Sequence, residues 1–272
     1  MKKTTLTAMV LVVAASAWAA PAANAIMGSI RTANGVQKGA IKWSNKQKAY
    51  SIAQKKGGTV LDVVIKAGDV EELIVDKPQG WDNAVGQVQR GAGASAIKYF
   101  ERIAKEYAHL QWDLGASRYL AEAYLSANNA EKALDVCKPI IDADSKAAWK
   151  GELAPSYWKA LLLLNKKSTL ESALAKAATS GDRFASGSAL IMRGDLILAN
   201  GGESAENVKL ALTEGYLRVV LLYTDKPVCD EVRPEALYKA AKCFEKMGQA
   251  ARADLMRSTL KKEHANSPWA GK

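Results

Sequence analysis

Five small or apolar residues, Ala96, Ala133, Ala173, Leu212 and Ala253, recur along the chain at intervals of 37, 40, 39 and 41 residues. Each belongs to an amphipathic segment, and a second amphipathic segment precedes it. Turn formers lie between the two: Gly91-Ala92-Gly93, Ala127-Asn128-Asn129, Asn165-Lys166-Lys167, Asn200-Gly201-Gly202 and Met247-Gly248-Gln249. Two helices per unit of about 40 residues predict an α-solenoid, because one helical pair alone leaves an apolar face bare and successive pairs must stack to cover it. Small residues let paired helices cross closely, and large ones fill the space between pairs. The expected fold is mainly α, with about five helical hairpins over residues 79–272.

Before residue 78 that period is absent and short strands replace it. Ile26–Thr32, Val36–Trp43, Ala49–Gln54, Val60–Ile65 and Leu73–Val75 are rich in β-branched and aromatic residues. Turn formers separate them at Asn34-Gly35, Ser44-Asn45, Gly57-Gly58 and Gly68-Asp69. The Asn34-Gly35 pair is the strongest hairpin signal, and a short helical turn is expected at Val70–Glu72. Five strands in about 50 residues resemble a small SH3-like or Sm-like barrel by pattern and spacing alone. Pro78 and Gly80 end this module, giving an expected division into 26–78 and 79–272.

In the helical part a family resemblance rests on particular residues. Ala236-Leu237-Tyr238-Lys239-Ala240-Ala241-Lys242-Cys243-Phe244-Glu245-Lys246-Met247-Gly248 resembles the first helix and turn of a tetratricopeptide repeat. Ala241 stands where helices cross, Phe244 at the large aromatic position, Gly248 at the turn, and Ala253 at the small position of the second helix. Asn266-Ser267-Pro268 resembles the usual exit. Leu120, Ala121, Tyr124, Ala133 and Gly194 fit the same template, and Phe100–Tyr107 resembles a second helix. The resemblance implies a right-handed superhelix whose first helices line a concave groove. It also implies groove-facing positions for Arg118 and Glu122, for Asp195, and for Tyr238, Lys242 and Glu245; the alternative for each is an ordinary solvated face. The units run nearer 40 residues than the family's usual 34, Pro139 interrupts a second helix, and Leu161–Leu164 leaves one register open by a position. The resemblance is to exported proteins of the Gram-negative envelope within that family, which implies an envelope role.

The first 25 residues carry a different message. Lys2 and Lys3 precede an apolar stretch from Leu6 to Ala20, and Ala23-Asn24-Ala25 has the small-x-small form of a leader cleavage site. Roughly 15 apolar residues are too few to span a bilayer, which needs about 20. The expectation is an exported, periplasmic or secreted chain cleaved after Ala25, with no membrane span. Setting aside Lys2 and Lys3, the net charge of +10 becomes +8. Residues 26–78 hold 9 basic and 5 acidic residues, so positive charge is densest there. Arg31, Lys38, Lys42, Lys46 and Lys48 form a candidate basic patch for an anionic polymer or lipid surface, with simple solubility as the plainer reading. Nothing in the pattern suggests nucleic acid.

Chemistry-bearing motifs are missing. There is no G-x-S-x-G, Walker A, HExxH, CxxC or GxGxxG sequence. The two histidines, His109 and His264, fall near expected helix ends, where a solvated ring is the default. Glu71-Glu72 and Asp142-Ala143-Asp144 read as solvated carboxylates. Of three cysteines, Cys137 reads as a small buried hydrophobe, whereas Cys229 in a Pro-rich loop and Cys243 in the next helix could form a disulfide. Trp158 and Tyr238 could face the groove, although core placement suits them as well. The final helix from Ala250 to His264 has an outer polar face (Arg252, Asp254, Arg257, Lys261, Lys262, Glu263) and inward candidates Leu255, Met256, Thr259 and Leu260, which predicts a self-capped monomer.

The reading that results is a non-catalytic scaffold without cofactor or metal. It would bind a protein or peptide of the cell envelope in its groove. The alternative is an envelope-surface binder acting through the basic strand module.

Overall fold

The structure, a computed structural model, describes residues 25–56 and 59–272. The leader reading therefore falls outside the described residues except for Ala25, as does the Gly57-Gly58 turn. The described chain forms two compact units, one containing the residues up to Asn83 together with Lys98–Ala116, the other Ala84–Ile97 with Ser117–Lys272.

In the first unit five antiparallel strands, β1 (Met27–Thr32), β2 (Gly35–Ser44), β3 (Ala49–Lys56), β4 (Thr59–Lys66) and β5 (Glu72–Val75), run in the order β4-β3-β2-β1-β5. Every expected strand is present, shifted by at most two residues at an end. Alternation decides the faces. Ile30, Ile41, Ile52, Ile65 and Val75 all point to one side and are buried. Ile41 pairs with Ile52, and Ile30 with Leu73, so the apolar rows align across the strands.

Two details differ from expectation. The first hairpin turns on Ala33-Asn34, because Thr32 pairs with Gly35; the Asn34 amide donates to Thr32 Oγ1 at 3.2 Å, and only Gly35 takes a positive φ, +114°. The helical turn before β5 lies at Ala67–Asp69, three residues earlier than expected. Gly28 and Gly39 face each other across β1 and β2. A Cβ on Gly28 would stand 2.4 Å from the Ile74 carbonyl oxygen, and one on Gly39 2.2 Å from that of Ala53, so neither position admits a side chain.

The sheet does not complete its own core. Leu110, 2% exposed, joins the isoleucine cluster from outside the expected 26–78 segment, with Tyr107 and Trp112 beside it. The Trp112 indole donates to the Val75 carbonyl and the Val75 amide donates to Gln111 Oε1, each at 3.0 Å, which ties that strap to β5. Trp81 packs edge-on against Phe100 and Trp112. A small sheet buries too little alone, and the strap adds the missing apolar surface.

The helices follow as α1 (Trp81–Gln89), α2 (Ile97–Glu106), α3 (Asp113–Ser126), α4 (Ala130–Ala143), α5 (Ala154–Leu163), α6 (Lys167–Ala178), α7 (Arg183–Gly201), α8 (Ala205–Ala211), α9 (Leu217–Leu222), α10 (Val228–Lys246) and α11 (Ala250–Glu263). Mostly helical, with helical pairs in series and a small N-terminal antiparallel sheet, this is the fold class that the 40-residue period predicts. All five marker residues are buried: Ala96 1%, Ala133 0%, Ala173 6%, Leu212 2% and Ala253 0% exposed. Side-chain caps start three of these helices. Asn129 accepts from the Lys132 amide at α4, Asp182 from Ala185 at α7, and Ser204 from Asn207 at α8. α4 continues through Pro139 to Ala143.

In the second unit α5 packs on α7 and α7 on α10, so first helices adjoin one another, while α6 and α11 back them. Trp158 is fully buried in α5 and donates its indole N–H to the Ala148 carbonyl at 2.8 Å. Leu161 is buried and Leu163 exposed, which settles the register of the leucine run. Leu255 on α11 is also exposed, contrary to the expected inward placement. The stretch after α11 covers part of the last pair, as Trp269 and Ala270 pack against that core.

Cys229 and Cys243 do not form a disulfide, since all three cysteines are free. Cys229 lies in the first turn of α10, not in a loop, and Cys243 is in the same helix. Fourteen residues at 1.5 Å rise separate them by about 21 Å, whereas a disulfide needs Cα atoms within about 7 Å.

Between α8 and α9 the helix widens into a π turn, Leu212–Tyr216. There Gly215 lies against Gly194 of α7; a Cβ on Gly215 would be 2.9 Å from the Gly194 Cα, and one on Gly194 would be 2.7 Å from the Tyr216 ring. Gly194→Ala should cost about 1–3 kcal/mol in denaturant unfolding, because neither partner can yield without moving backbone or a buried ring. Gly86→Ala, which would meet only the mobile end of Arg90, should be neutral or stabilising. Equal effects of the two would contradict this packing.

Candidate functional site

A cleft of about 990 Å³ runs along the second unit. Its wall is made chiefly by first helices, with Arg118 and Glu122 from α3, Lys159 from α5, Asp195 from α7 and Glu235 and Lys239 from α10. Apolar patches from Phe184, Ile191 and Met192 lie between the charges. Helical spacing explains the α10 contribution: Glu231, Glu235 and Lys239 stand four residues apart and share one face.

Two charge clusters shape the cleft. In the first, the Arg118 guanidinium reaches Glu122 at 3.0 Å and Glu152 at 2.5 Å. Burial opposes the charge on Arg118, but the Glu122 carboxylate outweighs it and the guanidinium is held more firmly protonated than usual. In the second, the Lys239 ammonium lies 2.6 Å from Asp195 Oδ2 and 2.6 Å from Glu235 Oε1, while the Tyr216 hydroxyl donates to Asp195 Oδ1 at 2.7 Å. Burial again opposes the Lys239 charge, and Glu235 and Asp195 together raise its pKa. Tyr216 is raised by burial first and then by the negative Asp195. Each cluster sets two carboxylates around one cation. Over the whole lining seven carboxylates face five cations, so the cleft is negative in a chain whose net charge is +10.

Of the groove candidates, Arg118, Glu122 and Asp195 line this cleft, and Tyr238, Lys242 and Glu245 do not. Glu231 and Glu235 share nearly the same face of α10 with these three and lie nearer the start of the helix. Tyr238 stacks 5.2 Å from Trp269, Lys242 lies 4.7 Å from the Tyr238 ring, and Glu245 pairs with Arg257 of α11. Of the three, Tyr238 alone meets the stretch beyond α11, through Trp269, while Lys242 and Glu245 are exposed. Glu231, Glu235 and Lys239 are the α10 side chains that line the cleft with charge beside Asp230, and the sequence reading did not name them as groove positions.

His264 also departs from expectation. It is 7% exposed, lines the cleft, and sets Nδ1 3.1 Å from Asp230 Oδ1, while its Nε2 has no hydrogen-bond partner. His109 is exposed; its carbonyl accepts from Tyr50 and its amide donates to Asp113. In the sheet, alternation puts Arg31, Lys38 and Lys42 on the face opposite the core, and Lys46 and Lys48 occupy the β2–β3 turn. Arg31 is paired with Glu72 at 3.0 Å, which removes one charge from that patch. Exposed Met27, Val36 and Ile74 share the same face.

Among the described residues no helix is long and apolar enough to cross a membrane, and no group of three or more His, Cys, Asp or Glu side chains could hold a metal ion.

Residues 235–267 match the tetratricopeptide repeat family model. That stretch covers most of α10, the Met247–Gln249 turn and α11, the segment on which the sequence resemblance was strongest. Repeats of this kind generally mediate protein–protein interaction. A crystal structure from Podosopora anserina, described as a kinesin light chain with nearly identical TPR-like repeats, is similar over 66% of this chain and 91% of that one, at 15% identity and a TM-score of 0.41. No curated protein matches the chain.

The buried network makes a pH prediction. Burial raises the Cys243 thiol to about 11, and Tyr216 and Lys239 are raised as well. Each holds its proton more tightly folded than unfolded, so the stability they contribute is complete below their unfolded values and is lost as pH rises through the folded ones. Unfolding measured from pH 8 upward should show stability falling from about pH 9, near the unfolded thiol value. Tyr216→Phe should make the fall shallower. A flat profile to pH 12 would contradict the assignment.

Proposed function

We propose that this protein is an exported, non-catalytic adaptor whose cleft holds an extended segment of a partner protein of the cell envelope. The observation that carries the reading is the cleft itself: one continuous wall of first helices, with fixed charges and apolar patches alternating along it. Such a surface suits an extended peptide, whose side chains alternate and whose backbone seeks polar groups. Arg118 is engaged with Glu122 and Glu152, and Lys239 with Asp195 and Glu235, an arrangement of fixed charges that supports a binding role. The leader-like residues 1–25 support export, and the polar outer face of α11 supports a monomer.

A second reading attaches to the strand module. Strand order β4-β3-β2-β1-β5 with a 3-10 turn before β5 supports an SH3-like reading of the sheet. Lys38 and Lys42 beside exposed Val36 and Ile74 favour an anionic polymer at that face. Its binding would weaken steeply with salt.

Site-specific photocrosslinking in the native cell tests the primary reading. A crosslinker replacing Lys159 in the cleft should capture one protein, and a crosslinker replacing the outward Leu255 should not. Capture of the same protein from both positions, or of glycan alone, would overturn it.

A further inference from the structure

We infer that the α10–α11 end of the cleft receives a cationic side chain, a lysine or arginine, of an extended peptide; this rests on the groove reading above and names the charge class of its ligand. Three independent observations converge. Glu231 and Glu235 stand four residues apart on one face of α10, where like charges repel. Lys239 neutralises Glu235 only in part, because it is shared with Asp195, and Glu231 forms no ion pair among the described residues. A carboxylate is therefore left over on the cleft wall.

His264 supplies the second observation. Its Nδ1 faces the Asp230 carboxylate at 3.1 Å, so Nδ1 carries the hydrogen and donates it there. In the neutral ring Nε2 is then a bare acceptor. It is buried in the cleft lining without a partner and stays unsatisfied until a donor arrives. An amine or guanidinium offers the donors; a carboxylate ligand offers none.

The third observation is the sign of the whole surface. Along the cleft seven carboxylates face five cations, and with Arg233 pairing Glu263 from behind one carboxylate remains in excess, although the chain as a whole is strongly basic. A positive ligand is drawn to the cleft and repelled elsewhere, which directs it to one place.

Three fluorescein-labelled eight-residue peptides on one Ser/Ala frame, carrying four lysines, four glutamates or no charge, provide the test with the full chain by anisotropy. The lysine peptide should bind at least tenfold more tightly than the neutral one, and the glutamate peptide should not bind. Glu231→Lys, an exposed position whose folding is checked by circular dichroism, should weaken the lysine peptide at least tenfold. Lys262→Glu on the outer face of α11 should leave it unchanged. Equal or tighter binding of the neutral or glutamate peptide would overturn the inference and leave the groove reading standing. A silent Glu231→Lys variant, or no binding of the lysine peptide, would overturn it too.

Discussion

Asp195 is held from two sides by groups that belong to different helices. The Tyr216 hydroxyl reaches it from the π turn after α8, and the Lys239 ammonium from α10. These contacts join α7, the π turn and α10 at one carboxylate. Their geometry depends on Gly194 and Gly215, which let the π turn approach α7 closely enough for the Tyr216 ring to pack against Gly194. An ordinary α-helical turn would place position 216 at a different angle, since the π turn adds a residue to the coil. The wall of the cleft is thus set by a packing feature beneath it.

That arrangement has a consequence for charge. An isolated carboxylate in this position would be costly to bury, and a single matched cation would leave the surface neutral. Here one lysine serves two carboxylates, with a phenol assisting, so the group is stable and still negative. Arg118 repeats the pattern between Glu122 and Glu152. The cleft therefore offers fixed negative charge on rigid helices, which gives a ligand selectivity and orientation more than raw affinity.

Much of this could be read from the sequence because the physics is local. The strands β1–β5 follow from alternation and turn formers, and the helical pairs from small residues spaced near 40. What could not be read depended on distant parts of the chain. Leu110 completes the core of the sheet from beyond α2, with no local signal to assign it there. Tyr238, Lys242 and Glu245 share nearly one face of α10 with Glu231 and Glu235, and which part of that face borders the cleft depends on chain that returns after α11, where Trp269 meets Tyr238. α10 also begins earlier than the repeat template implies, which brings Cys229 and Glu231 into the helix. That start also places the acidic Asp230 and Glu231 in the first turn.

A double-mutant cycle between Asp195→Asn and Tyr216→Phe, followed by denaturant unfolding, addresses the central claim most directly. If Asp195 joins the π turn to α7 and α10, the two changes are coupled by about 1 kcal/mol or more. Additivity to within about 0.5 kcal/mol would show the two groups to be independent and would contradict the account.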